Sequence, residues 1–256
     1  MDRDGFAVLP WRLEPELHAE LLSALDTIWE KAQTDGPLES LHYLSFLGAD
    51  PVFPSIVDWP PLLRVVTDLL TNNIYVNHSH LDVHPPHEPT SGMRWHRDGG
   101  VQGSDMKIMP DKQPRLTVKV GYFLTDVPDA EHGALEVVPG SHKDSYIRSL
   151  NKEPEPNTHS ILVPAGSVAM FDARVIHRRH DNLSGVARKA MFLAFTYRWV
   201  TSRDDSLMEH PDWPRWSPVR HQMLGDPTWE PFYPRREDLP LAQWRIDAGP
   251  APEPSD

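Results

Sequence analysis

Residues 166–199 read GSVAMFDARVIHRRHDNLSGVARKAMFLAFTYRW. Gly166 marks a turn into the apolar run Ser167–Phe171. Asn182 and Ser184 mark a second turn, and Arg188 opens another β-type run. A strand-turn-strand unit is therefore predicted, with His177 just after the strand-like ARVI. Comparable runs precede it: NIYVNHSHLDV (73–83), RLTVKVGYFLTDV (115–127), ALEVV (134–138) and HSILV (159–163). Pro, Gly, Asn and Asp separate them. Many short strands with such punctuation predict a sandwich or a double-sheet jelly roll.

The pattern differs at both ends. EPELHAELLSALDTIWEKAQ (14–33) places Leu17, Leu21, Leu25, Ile28 and Trp29 at helical spacing, with Pro15 suited to a first turn. WPPLLRVVTDLL (59–70) predicts a second, shorter helix with Asp58 as its cap. From Thr201 the chain is irregular and rich in Pro and Trp, too aromatic for a disordered tail. The expected organisation is a single domain over 1–256. A mainly helical entry (1–73) precedes a jelly-roll core (74–200) and a wrapping segment (201–256).

Composition narrows the function classes. The chain has 256 residues, no cysteine and a net charge of −12. Thiolate metal sites, cysteine nucleophiles and disulfides are excluded. No basic stripe of the kind that grips nucleic acid is present. No apolar run approaches the ~20 residues of a membrane span. The opening MDRDGFAVLP lacks the layout of a secretion signal, so a cytoplasmic location is expected. The expected partner is a small molecule; monomer and homodimer remain open.

Four His-x-Asp pairs occur: His80/Asp82, His96/Asp98, His142/Asp144 and His210/Asp212. Alternate residues of a strand point the same way, so any pair could grip one ion. Two histidines and one carboxylate bind ferrous iron on one face and leave three positions open. An arginine nearby can hold the far carboxylate of an organic acid, because its planar fork matches a carboxylate.

The sequence resembles the phytanoyl-CoA dioxygenase family of iron(II)/2-oxoglutarate-dependent oxygenases. The resemblance rests on RWHRD (94–98), FLTDVPDAEHGALEVVPGSHK (123–143) and HRRHDNLSGVARKA (177–190). DGFAVLP near the start and SPVRHQMLG near the end are also family-like, so it spans nearly the whole chain. It implies a mainly β (α+β) fold, the double-stranded β-helix, with an N-terminal helical layer. It assigns His96, Asp98 and His177 to Fe(II), and Arg188 to the distal carboxylate of 2-oxoglutarate, with O2 as the second co-substrate. It further implies hydroxylation of an unactivated C–H bond of a small natural-product or amino-acid-like molecule, with release of succinate and CO2. Asp98 favours this outcome, since the related halogenases carry a small residue there.

One position departs from the family. A small hydroxyl residue often stands two after the distal histidine, where Arg179 is found here; Arg179 either supplies a second cation to the co-substrate or turns away. His80 and His84 are expected as pocket groups for the co-substrate rather than as a second metal site, and Thr117 joins them. Lys119, Met93 and Arg94 are expected on the substrate side. The polar segment 99–115 is expected to form a lid. His142/Asp144 is read as turn chemistry and His210/Asp212 as structural. Desaturation, cyclisation or acyl-CoA hydroxylation are alternatives on the same cofactors. A metal-dependent hydrolase and a non-catalytic ligand-binding jelly roll are alternatives outside the class.

Overall fold

Strand β4 (Thr117–Phe123) carries the sequence TVKVGYF. Backbone alternation sends Val118, Val120 and Tyr122 to one face, and Thr117, Lys119, Gly121 and Phe123 to the other. Every residue after Thr117 is buried, so both faces are covered. The strand pairs antiparallel with β7 (Ser167–Asp172), setting Lys119 opposite Phe171 and Gly121 opposite Ala169. On its other edge β7 pairs with β1 (Phe6–Arg12), where Phe6 faces Phe171. With β2 (Leu41–Leu44), β3 (Ile74–His84) and β9 (Arg188–Tyr197), the strand order is β1-β7-β4-β9-β3-β2. A second sheet orders β6 (His159–Ile161), β5 (Leu135–Val137) and β8 (His177–Arg179), both pairings antiparallel.

The computed structural model describes residues 1–34, 36, 38–87, 93–98, 114–144, 157–230, 232 and 236–248. These fall into two compact units, one of residues 1–42 and 81–191, the other of 43–80 and 192–256. In the first, helix α1 (Pro15–Thr34) buries Leu21 and Leu25 of the predicted stripe together with Ala24, while Leu17, Ile28 and Trp29 are half-buried. Its His18 ring nitrogen Nε2 meets the Leu124 carbonyl at 3.0 Å. In the second, helix α2 (Pro60–Leu69) buries Leu62, Leu63 and Val66. Phe46 and Phe53 pack edge to face at 4.9 Å, both without solvent contact.

Several local expectations change. Asp58 does not cap α2; it receives Arg220 at 2.8 Å and the Ser217 hydroxyl at 3.1 Å. A guanidinium offers two charged donors, a stronger claim on the carboxylate than backbone amides. The entry segment is not purely helical, because FAVLPWR supplies β1. The strand expected at ARVI begins at His177 instead, after a turn in which Asp172 binds the Arg174 amide at 3.0 Å and its guanidinium at 2.8 Å. The tail from Thr201 holds two short helices, α3 (Pro218–Met223) and α4 (Pro240–Asp247). They are joined through the buried Gln222, whose Nε2 donates to the carbonyls of Asn72 (2.8 Å) and Ile74 (3.2 Å) while its Oε1 accepts the Leu241 amide at 3.0 Å. Among the described residues no helix is long and apolar enough to cross a membrane.

Candidate active site

His96 and His177 are brought together by backbone first. The His96 amide donates to the His177 carbonyl at 3.0 Å, and the His177 amide returns the bond at 2.9 Å. This is a single antiparallel bridge rather than the strand expected around His96. It sets the two rings 4.3 Å apart. Asp98 lies two residues on, with Oδ2 3.7 Å from His177 Nε2. One potential ligand atom from each of the three lies within 4.8 Å of the others. The His80/Asp82 pair also gathers a third potential ligand, His42, whereas the His142 and His210 pairs gather none among the described residues. His142 instead sits in the turn Ser141–Lys143, and His210 stacks on Trp216 at 5.0 Å.

The two rings are held in the tautomer that a metal needs. His96 Nδ1 lies 3.0 Å from the Arg94 carbonyl, and His177 Nδ1 lies 2.9 Å from the Val175 carbonyl. A carbonyl only accepts, so each Nδ1 carries the proton and each Nε2 presents a lone pair. Burial, and then the neighbouring His96, push the His177 pKa down to about 4, so its ring is neutral at physiological pH. The donor set of two neutral imidazoles and a carboxylate suits a divalent transition metal with open positions. Arg97, between two of these residues, is buried; its Nε donates to the Arg174 carbonyl at 2.9 Å and ties His96 and Asp98 to the loop that leads into His177. The sequence reading gave Arg97 no role, and its signal was only its place inside the motif.

A second group of side chains lines the same unit. Arg188 is 3% exposed and its guanidinium lies 5.6 Å from the centre of the Phe123 ring. Lys119 and Phe123 share a face of β4, so this face carries both Lys119 and the ring beside Arg188. Burial lowers the Arg188 pKa to about 10, which leaves it charged at neutral pH; the Asp82 carboxylate opposes that shift and Arg179 adds to it. Arg179 is half-buried and donates to the His180 carbonyl at 3.0 Å. Asp82 receives His42 Nδ1 at 2.6 Å, and this bond raises the His42 pKa. Asp82 was legible only as part of an His-x-Asp pair, and His42 gave no signal.

The remaining predicted residues divide. Lys119 is 5% exposed, with Nζ 3.4 Å from Asp98 Oδ2. His80 stacks on Phe192 at 5.0 Å. Thr117 is half-buried at the start of β4. Met93 is 44% exposed and Arg94 is exposed. The predicted lid lies outside the described residues apart from Pro114 and Arg115, and Arg115 is bound to Asp172 (2.9 Å) and Asp2 (2.7 Å).

Two predictions arise here. Gly133 has φ +71, and a Cβ there would stand 3.1 Å from Arg188 Cδ. Gly133→Ala is expected to cost about 1–3 kcal/mol from the backbone alone and to displace Arg188. A thermal melt and a 2-oxoglutarate binding measurement would show both effects together. The second concerns acid. Burial, and then Arg179, push the His84 pKa down to about 3. The unfolded chain takes up that proton near pH 6.5 and the folded chain does not. Stability is therefore lost as pH falls from about 6.5 toward 3. His177 acts in the same sense below 6.5, so His84→Asn should reduce the slope of thermal midpoint against pH without abolishing it.

Comparison with known proteins agrees with this geometry. A model of the family described as phytanoyl-CoA dioxygenase (PhyH) matches residues 1–190. The chain belongs to the phytanoyl-CoA dioxygenase family. The matched region holds all three residues of the His96/Asp98/His177 set and Arg188. An ectoine dioxygenase from Streptomyces anulatus is 28% identical over 56% of this chain and 55% of its own length, so that match spans about half of the relative. L-proline trans-4-hydroxylase from Streptomyces griseoviridis is 24% identical, over 78% of this chain and 84% of its own. The crystal structure of HygX from Streptomyces hygroscopicus, with nickel and 2-oxoglutarate bound, superimposes with a TM-score of 0.62 at 17% identity, covering 78% of this chain and 86% of that one. The shared fold is the double-stranded β-helix expected for the phytanoyl-CoA dioxygenase family.

Proposed function

We propose that this chain is an iron(II)- and 2-oxoglutarate-dependent oxygenase that hydroxylates a small molecule. The observation that carries this is the coexistence, in one unit, of the clustered His96/Asp98/His177 set and the buried cation Arg188. His96, Asp98 and His177 hold the metal, and Arg188 takes the distal carboxylate of 2-oxoglutarate. When bound, the iron and its co-substrate supply the oxidation: one atom of O2 enters the C–H bond and the other enters succinate as CO2 leaves.

The chain's own groups do the rest. The carbonyls of Arg94 and Val175 fix the two imidazoles as neutral donors. Arg188 stays charged in a dry setting, where a two-pronged bond to a carboxylate is strong. Arg179 and His84 belong to the same electrostatic group as Arg188 and Asp82. His84, neutral at physiological pH, can offer a hydrogen bond to the co-substrate, and Arg179 a second cation in place of the family's hydroxyl. Phe171, 4.6 Å from the His177 ring, shields the metal side from water.

The relatives named above act on ectoine-type and proline substrates, as their names state. An amino-acid-like or small natural-product substrate is the reading carried to this chain. A metal hydrolase would need a metal-bound water but no buried arginine to hold a second carboxylate. A passive binding protein would need neither O2 nor a redox metal. Succinate release from 2-oxoglutarate with iron and ascorbate, scored with and without candidate substrates, separates the three. Iron-dependent succinate is expected; its absence under all conditions, with metal bound, contradicts the proposal.

A further inference from the structure

Asp172 closes β7 and has no solvent contact. Its Oδ1 accepts the Arg174 amide at 3.0 Å and Arg174 Nε at 2.8 Å. Its Oδ2 accepts a second nitrogen of the Arg174 guanidinium at 2.6 Å and Arg115 Nε at 2.9 Å. The backbone is held as well. The Asp172 amide donates to the Gly5 carbonyl at 2.8 Å, and its carbonyl accepts the Val175 amide at 2.9 Å. Burial pushes the carboxyl pKa up, but Arg174, and then Arg115, outweigh it and hold the pKa below the ordinary value. The group is therefore an anion at neutral pH.

Stability alone does not select an anion buried this deeply. Desolvation consumes much of what buried ion pairs return, and apolar residues of like volume often serve a core as well. An apolar side chain cannot accept hydrogen bonds, however, and so cannot fix the direction of the peptide groups around it. Here the peptide groups just after Asp172 lead to all three candidate ligands. The Val175 carbonyl meets His177 Nδ1 at 2.9 Å. The Arg174 carbonyl accepts Arg97 Nε at 2.9 Å, and Arg97 stands between His96 and Asp98 in the chain. The far end of this loop is pinned separately, by the Ile176 amide on Ser141 Oγ at 2.8 Å.

We infer that Asp172 is a positioning residue for the metal site. Its carboxylate sets the turn 172–175 so that the Val175 carbonyl orients the His177 ring, and the Arg174 carbonyl, through Arg97, holds His96 and Asp98 at their distance from it. The inference rests on His96, Asp98 and His177 as the metal ligands. It goes beyond that reading by making metal affinity depend on a carboxylate that ligates nothing.

Asp172→Asn is the informative change. It keeps the size, and its one oxygen can still serve the Arg174 amide. The other oxygen becomes an NH2 that faces guanidinium donors, so the grip of the two arginines is lost. Changing groups that orient metal ligands costs ~10–100-fold in affinity. Asp172 acts one contact further out, so the lower end, about tenfold, is expected.

Nickel(II) alone is titrated by calorimetry into wild type, Asp172→Asn, Arg97→Met and the double variant, with a thermal melt of each. Each single variant should bind nickel about tenfold more weakly. The double variant should be little weaker than either, because both changes cut the same chain and losses within one network do not add. Asp58→Asn is the control for a merely structural role. It also takes a carboxylate from an arginine, Arg220 at 2.8 Å, but in the other unit. It should lower the melting temperature and leave nickel affinity unchanged. Cobalt(II) at saturation adds a signature of ligand geometry: its visible bands should shift in Asp172→Asn and not in Asp58→Asn.

Nickel affinity of folded Asp172→Asn equal to wild type, an equal loss in Asp58→Asn, fully additive losses in the double variant, or cobalt bands identical in wild type and Asp172→Asn each overturn the inference. If Asp172→Asn does not fold, Arg174→Met carries the test. It removes the guanidinium and leaves the carboxylate; weaker nickel binding is expected, and unchanged binding overturns the inference. Failure of the metal reading looks different: wild type itself then takes up no nickel, and the inference falls with it.

Discussion

His177→Ala is expected to abolish iron-dependent turnover and to leave the fold standing. On the proposed reading His177 supplies one of three ligands, and it is the most buried of the three residues. Changing groups that merely orient such ligands costs ~10–100-fold in metal affinity, so losing a ligand should cost more than about a hundredfold. His96→Ala and Asp98→Ala should behave alike. His142→Ala is the contrast: its ring serves the Ser141–Lys143 turn and approaches the Asp2 carbonyl at 3.3 Å. It should lower stability and leave metal binding intact. Iron content after anaerobic loading, measured on all four variants, checks the assignment. Loss of iron in His142→Ala with retention in His96→Ala would mean that the wrong pair was chosen.

The second large effect is at Arg188. The side chain is buried, charged and set beside Phe123, with Asp82 as the nearby carboxylate that partly offsets its burial. Removing one member of a desolvated charge pair costs roughly 2–5 kcal/mol, or about a 30- to 5000-fold change in affinity. Arg188→Ala should raise the 2-oxoglutarate requirement by that factor while iron still binds. Arg188→Lys keeps the charge and loses the fork, so it should rescue only part. Arg179→Ala should have a smaller effect, because Arg179 is only half-buried and already donates to the His180 carbonyl. The reverse ranking, with Arg179 dominant, would move the anchor by one strand.

The fold was legible wherever residue type and period agreed. TVKVGYF alternates and is a buried strand; the leucines of α1 recur at helical spacing and face inward. It was hidden where tertiary partners overrode local preference. FAVLPWR joins β1 because its strand pairs with β7, a partner more than 150 residues away, despite Pro10. Asp58 would cap α2 in isolation, but Arg220 claims it from the far end of the chain. The His96 segment needed no strand to reach His177, only one reciprocal pair of amide bonds.

The site divides in the same way. The proposed metal and co-substrate residues His96, Asp98, His177 and Arg188 could be named from sequence because they lie in three family-like stretches, and the first three do converge. The supports were not. Asp82 and His42 form a 2.6 Å pair that tunes the arginine end, and nothing in the sequence joins residues 42 and 82. Arg97 looked like filler between two candidate ligands and is a tie to the loop before His177. Gly133 read as turn punctuation, yet its missing Cβ is what leaves room for the Arg188 stem. Such second contacts depend on which strands become neighbours, and that is decided by topology rather than by local pattern.

On the proposed function, one iron and one 2-oxoglutarate share a site built from His96, Asp98, His177 and Arg188. It is tested most directly by anaerobic titration of the metal-free protein with Fe(II) and then 2-oxoglutarate, followed by visible absorption. A keto acid chelating ferrous iron gives a charge-transfer band that neither component gives alone. The band is expected to saturate at one equivalent of each per chain, to be lost in His177→Ala and to shift to much higher 2-oxoglutarate concentration in Arg188→Ala. A wild-type protein that binds Fe(II) and develops no band at any 2-oxoglutarate concentration, or a band indifferent to Arg188, would contradict it.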